Sequence, residues 1–141
     1  MNRFFDTSVL VATFWGDHPH HEASLHAFAS TTKSTGACAA HSLAEVYAVL
    51  TRLPVRPVVA PADALLFIEE IQKRLTVVLL NERDYAETIK QTVDLSLAGG
   101  QIYDALILLA AEKIKAKTIL TWNISQFRRI APRLANRIRT P

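Results

Sequence analysis

No stretch of this 141-residue chain restricts its possible folds more than Ile102-Tyr103-Asp104-Ala105-Leu106-Ile107-Leu108-Leu109-Ala110-Ala111. Apolar residues fall on every side of a helix drawn over it, and the run ends in charge at Glu112 and Lys113. It therefore reads as a helix covered on nearly every face, which requires other elements packed around it. It also carries one carboxylate, Asp104, with no Lys or Arg within a helical turn. An isolated ionised Asp in such surroundings is strongly destabilising, so Asp104 needs a cation brought by the fold, full hydrogen bonding, or a proton.

Two more acids stand in the same setting. Asp6 lies between Phe4-Phe5 and Thr7-Ser8-Val9-Leu10-Val11, and Glu45 lies inside Ser42-Leu43-Ala44-Glu45-Val46-Tyr47-Ala48-Val49-Leu50. If folding gathers these three, they cannot all stay ionised without compensating positive charge. A hard divalent ion with oxygen ligands, Mg²⁺ or Mn²⁺, is the natural compensation.

The rest of the chain supplies the elements to do the gathering. Short apolar strands are expected at Arg3 to Phe5, Gly36 to Ala40, Thr76 to Leu80, Lys117 to Thr121 and, as a last edge strand, Arg137 to Arg139. Thr76 to Leu80 is uninterrupted in its apolar character, as for a parallel strand covered on both sides. Helices alternate with these strands: Val9 to Trp15, a segment to Ser30, Ser42 to Leu53, Pro61 to Leu75, Glu82 to Leu97 capped by Asn81, and the Asp104 helix after Gly99-Gly100. The expected architecture is a three-layer α/β/α sandwich around a mainly parallel, roughly five-stranded sheet, forming a single domain over residues 1–141. Asp6 and the Thr121–Asn123 turn then both fall just past the carboxyl ends of strands, where such sheets place ligand sites.

Composition excludes several classes. No apolar run reaches transmembrane length, and a carboxylate at position 6 interrupts any secretory signal, so a cytoplasmic protein without membrane contact is expected. Cys38 is the only cysteine and reads as a buried strand residue. The histidines at 18, 20, 21 and 26 do not match a zinc spacing and read as mostly surface residues at a helix start. There is no nucleophile elbow, P-loop or dinucleotide fingerprint. From Lys113 onward the chain has eight Lys or Arg and no acid, a distribution that suits either a polyanion or a solvated face. A carboxylate cluster holding a divalent ion suits phosphodiester hydrolysis.

Four motifs in order, Phe5-Asp6-Thr7-Ser8-Val9-Leu10, Ser42-Leu43-Ala44-Glu45-Val46-Tyr47 with Leu50-Thr51-Arg52-Leu53-Pro54, Gly99-Gly100-Gln101-Ile102-Tyr103-Asp104-Ala105, and Thr121-Trp122-Asn123-Ile124-Ser125-Gln126-Phe127, resemble the PIN-domain family. In particular they are similar to VapC-type toxins of bacterial toxin–antitoxin pairs. The resemblance implies a Mg²⁺- or Mn²⁺-dependent endoribonuclease, a homodimer, and a small cognate antitoxin that covers the active site. Carried over by position, it makes Asp6 and Asp104 metal ligands, and Glu45 a ligand or the group orienting a metal-bound water. Asn123 joins them as a catalytic-site residue, with Ser8 and Thr121 as hydroxyl supports. The family often has a further acid near Asn123 or Gln126, and amides at both places weaken any second metal site. Arg128 and Arg129, nearest that turn, are the expected RNA-backbone contacts, and Trp15 and Trp122 are candidates for core packing or base stacking. The alternatives are a weakly active or inactive PIN-like module that binds RNA or protein, and a DNA nuclease or phosphatase using the same acids.

Overall fold

The computed structural model describes residues 1–141. Strands β1 (Arg3–Phe5), β2 (Gly36–Ala39), β3 (Thr76–Val78), β4 (Thr118–Leu120) and β5 (Ile138–Arg139) form one sheet in the order β3-β2-β1-β4-β5, and every pairing is parallel. The helices are α1 (Thr7–Phe14), α2 (His21–Ala29), α3 (Ala40–Arg52), α4 (Pro61–Arg74), α5 (Glu82–Asp94), α6 (Gln101–Lys113) and α7 (Ile124–Ile130).

Alternation along the strands divides the core in two. Phe4, Ala37 and Ile119 point to one face, where Ile107 and Leu108 of α6 and Phe127 of α7 cover them. Phe5, Cys38 and Leu120 point to the other, against Val9 and Leu10 of α1, Phe28 of α2, Leu50 of α3 and Ile71 of α4. This is the expected three-layer sandwich. Cys38 is fully buried, and burial pushes its thiol up to about 12, consistent with a packing role.

Two expectations need correction. Thr76 to Leu80 is not a strand covered on both sides: only Thr76–Val78 pairs, at the sheet edge, all three residues are half-buried, and Leu79 is 74% exposed. β2 takes the interior place instead, because its small residues let helices approach closely from both faces. The Asp104 helix is enclosed only from Leu106 onward; Tyr103 is 45% exposed and Asp104 half-buried, so the first turn opens outward. On α5, Asp84 completes a capping box with Asn81 and pairs with Lys113 Nζ at 2.6 Å.

The chain order sets the site. From the central β1 the chain steps outward to β2 and β3, then returns to lay β4 on the other flank of β1. The crevice left at such a reversal lies beyond the carboxyl ends of β1 and β4. Phe5 pairs with Leu120, and the Asp6 N–H donates to the Leu120 carbonyl at 2.9 Å, so Asp6 and Thr121 emerge side by side.

Candidate active site

Asp6 occupies the N-cap position of α1, but its carboxylate does not cap the helix. It turns to two hydroxyls. Ser8 Oγ donates to Asp6 Oδ2 at 2.6 Å and Thr121 Oγ1 donates to the same oxygen at 2.8 Å. Each hydroxyl also accepts a backbone N–H from the turn after β4: that of Trp122 on Ser8 (3.0 Å) and that of Asn123 on Thr121 (3.0 Å). The carboxylate is thus clamped through Oδ2, leaving Oδ1 outside the clamp. Asp6 is 2% exposed, and burial pushes its carboxyl up while the two hydroxyls oppose the shift.

Glu45 comes from the middle of α3. Thr7, the first residue of α1, shares its hydroxyl hydrogen between Ser42 Oγ (2.9 Å) and Glu45 Oε1 (3.1 Å), which ties α1 to α3. His41, one turn before Glu45, brings Nε2 to 3.5 Å from Oε1, and its ring stacks on Tyr103 of α6 with centroids 4.8 Å apart. Burial raises Glu45, His41 and the Thr7 hydroxyl lower it, and the charge of Asp6 adds a smaller push upward. Asp104, in the first turn of α6, is pushed up to about 7 by burial first, then by the charges of Asp6 and Glu45.

The three carboxylates, Ser8, Trp15 and Asn123 line one cavity of about 360 Å³. No three of them come close enough together to form a ready-made cluster of metal ligands. None pairs with Lys or Arg. Three acids on one cavity, with the charge of Asp6 raising both Glu45 and Asp104 and no Lys or Arg beside them, suit a hard divalent cation with oxygen donors only.

The family model for the PIN domain matches residues 3–131. The chain belongs to the PIN-domain family. Among its relatives are Ribonuclease VapC27 of Mycobacterium tuberculosis, 34% identical over 112 residues that cover 79% of this chain and 78% of the relative. Ribonuclease VapC40 of the same species is 32% identical over 114 residues, covering 81% of each. These relatives make it a PIN domain of the VapC type. Two solved structures share its fold. Mycobacterium tuberculosis VapC20, described as a sarcin–ricin loop cleaving toxin, superposes with a TM-score of 0.73 at 15% identity over 89% of this chain and 92% of that one. Rickettsia felis VapBC2, bound to a DNA fragment from their promoter, gives 0.63 at 21% identity over 93% and 94%.

In this PIN domain the last motif divides its two amides. Asn123 lines the cavity, whereas Gln126 Oε1 accepts a hydrogen bond from Arg129. Arg128 donates to the Ile138 carbonyl at 2.9 Å, fastening α7 to β5; both arginines are exposed. The C-terminal basic run does not form one face. Lys113, Lys115 and Lys117 lie before β4, at the end of the sheet away from the cavity, and Arg133 forms a two-pronged pair with Glu112 at 2.6 and 2.9 Å. Trp122 is anchored, its indole N–H donating to the buried Ser24 hydroxyl at 2.9 Å. Sequence reasoning missed Thr7, His41 and His18. The i, i+4 spacing of His41 and Glu45 on one helix was a usable signal. His18, expected among surface histidines, is half-buried and lines the cavity, and burial with its neighbours His20 and His21 lowers its pKa.

Proposed function

We propose that this chain is the toxin of a type II toxin–antitoxin pair, one domain acting as an endoribonuclease that hydrolyses RNA phosphodiester bonds with water and depends on Mg²⁺ or Mn²⁺. The observation that carries the catalytic reading is the three carboxylates in one cavity with no Lys or Arg to neutralise them. Asp6, Glu45 and Asp104 are the residues that would hold the ion, which would withdraw charge from the phosphoryl group and make water a better nucleophile at neutral pH.

The chain's own groups prepare that site. Ser8 and Thr121 fix Asp6 through Oδ2, so Oδ1 is the oxygen it presents. The Thr7 hydroxyl of α1 holds Glu45 through Oε1, and His41 Nε2, one turn earlier on α3, lies 3.5 Å from the same oxygen. Asn123, uncharged at the cavity mouth, offers an amide to hydrogen-bond substrate or water without adding repulsion. Arg128 and Arg129 are the proposed RNA-backbone contacts, Arg128 pre-positioned by the Ile138 carbonyl. The exposed apolar residues Tyr85, Ile89 and Val93 on one stripe of α5, and Leu65 and Leu66 on α4, are the faces proposed for a second copy and for the cognate antitoxin.

The deciding experiment compares RNA cleavage by wild type and Asp104→Asn with Mg²⁺, with Mn²⁺ and in EDTA. Cleavage by wild type only, and only with metal, is expected; identical, metal-independent traces would overturn the enzyme reading. A second reading, an RNA- or protein-binding module with little catalysis, draws on the amides at Asn123 and Gln126. It predicts RNA binding without turnover. Single-stranded DNA and small phosphoesters run in parallel separate a ribonuclease from a DNA nuclease or phosphatase.

A further inference from the structure

The acid cavity leaves the histidine run before α2 unexplained. In the turn His18-Pro19-His20, the His20 ring lies flat against Trp122, centroids 3.8 Å apart and planes 10° apart. Trp122 is held from two directions. Its indole N–H bonds to buried Ser24, and its backbone N–H bonds to Ser8 Oγ, the same hydroxyl that clamps Asp6. The turn is also fixed: His18 Nδ1 accepts the His20 N–H at 3.0 Å, and the His18 ring stands edge-on to Trp15 at 5.3 Å. The hydrogen bonds of the turn use the His20 backbone and not its imidazole, and His20 is exposed. His18 lines both the acid cavity and an adjoining one of about 440 Å³ that His20, His21 and Glu22 border.

The geometry points to a nucleobase subsite: the exposed ring of His20, backed by Trp122, is a stacking platform for one unpaired RNA base beside the phosphodiester held at the acids. This rests on the endoribonuclease reading. An imidazole spread over a fixed indole extends one flat aromatic surface outward, and unpaired bases are recognised by stacking on such rings. The platform adjoins the acid cavity through His18, and two hydrogen bonds, Trp122 N–H to Ser8 and Ser8 to Asp6, set its height relative to the site. Stacking is tolerant of base identity, so the platform supplies affinity and register more than sequence choice.

The test uses the full chain carrying His20→Ala or His20→Phe, with thermal melts to establish that each folds. Equilibrium binding is read by fluorescence anisotropy of a labelled single-stranded RNA dodecamer with Mg²⁺, in an Asp104→Asn background that blocks cleavage. Cleavage is read in the otherwise wild-type chain. His20→Ala should weaken binding roughly tenfold and raise KM with kcat nearly unchanged, while His20→Phe should restore both. Replacing single bases of the dodecamer by abasic sites should abolish the difference between His and Ala at one position. Wild-type cleavage with unaltered binding and KM in His20→Ala would overturn the subsite alone. So would loss in His20→Ala that Phe fails to restore, or a loss confined to binding of the antitoxin. Absence of RNA binding and cleavage by the wild type would instead overturn the reading beneath it.

Discussion

Asp104 holds its proton to near neutral pH because it is partly buried and faces Asp6 and Glu45, which push its carboxyl up to about 7 from the usual 3.8. Between those values the folded chain binds more protons than the unfolded one. The stability contribution is therefore full below the unfolded value and is lost as pH rises through about 7. In EDTA, Asp104→Asn should melt higher than wild type at pH 8 and about equally at pH 4, with a difference of about 1 kcal/mol after solvent screening. Adding Mg²⁺ at pH 8 should raise the wild-type melting temperature more than that of the variant. Thr121 offers a second test, since its buried hydroxyl both donates to Asp6 and accepts from Asn123. Thr121→Val keeps the shape and removes both bonds. It should cost about 1–3 kcal/mol in a denaturant melt and lower cleavage without abolishing it. The three acids were legible because each is a lone charge in an apolar run. The hydroxyl clamp was not, because serine and threonine beside a helix start look the same whether they cap the helix or reach a neighbouring strand.

At the scale of elements, the order of strands and helices could be read from alternating apolar runs and their caps; Asn81 and Pro61 mark real helix starts. Lateral position in the sheet could not. Thr76-Val77-Val78-Leu79-Leu80 is more apolar than Gly36-Ala37-Cys38-Ala39, yet the first lies at the edge and the second inside. The cause is space: α6 packs over β2, where larger side chains would hold it away. Gly36 shows how tight that strand is, since a Cβ there would lie 2.1 Å from Thr31 Cγ2, on a residue 1% exposed. Gly36→Ala should therefore destabilise by about 1–3 kcal/mol, measured by urea unfolding, even though alanine favours an ordered strand more than glycine does.

For the molecule as a whole, charge is arranged differently from what a count suggests. The eight C-terminal cations are split between the far end of the sheet, internal ion pairs, the last turn of α7 and, with Arg139, the carboxyl end of β5. Arg128 and Arg129, one turn past the cavity-lining Asn123, and not a continuous basic stripe, are then the cations available to phosphate. Arg129→Ala should weaken RNA binding at low salt and reduce the slope of log affinity against log salt by about one, whereas Lys117→Ala at the opposite end should change neither. Titrations at several salt concentrations check both.

The divided core has a temporal consequence. Asp6 and Glu45 belong to the layer built from the first half of the chain, and Asp104 and Asn123 to the layer built from the last third, while β4, which brings Thr121 to Asp6, is made later than all the helices but α7. A nascent chain halted before residue 118 carries all three acids but lacks β4, and with it the Thr121 hydroxyl that clamps Asp6 and the Asn123 that lines the cavity. The site is completed only when synthesis is almost finished, since its two halves come from opposite ends of the chain and meet across β1 and β4.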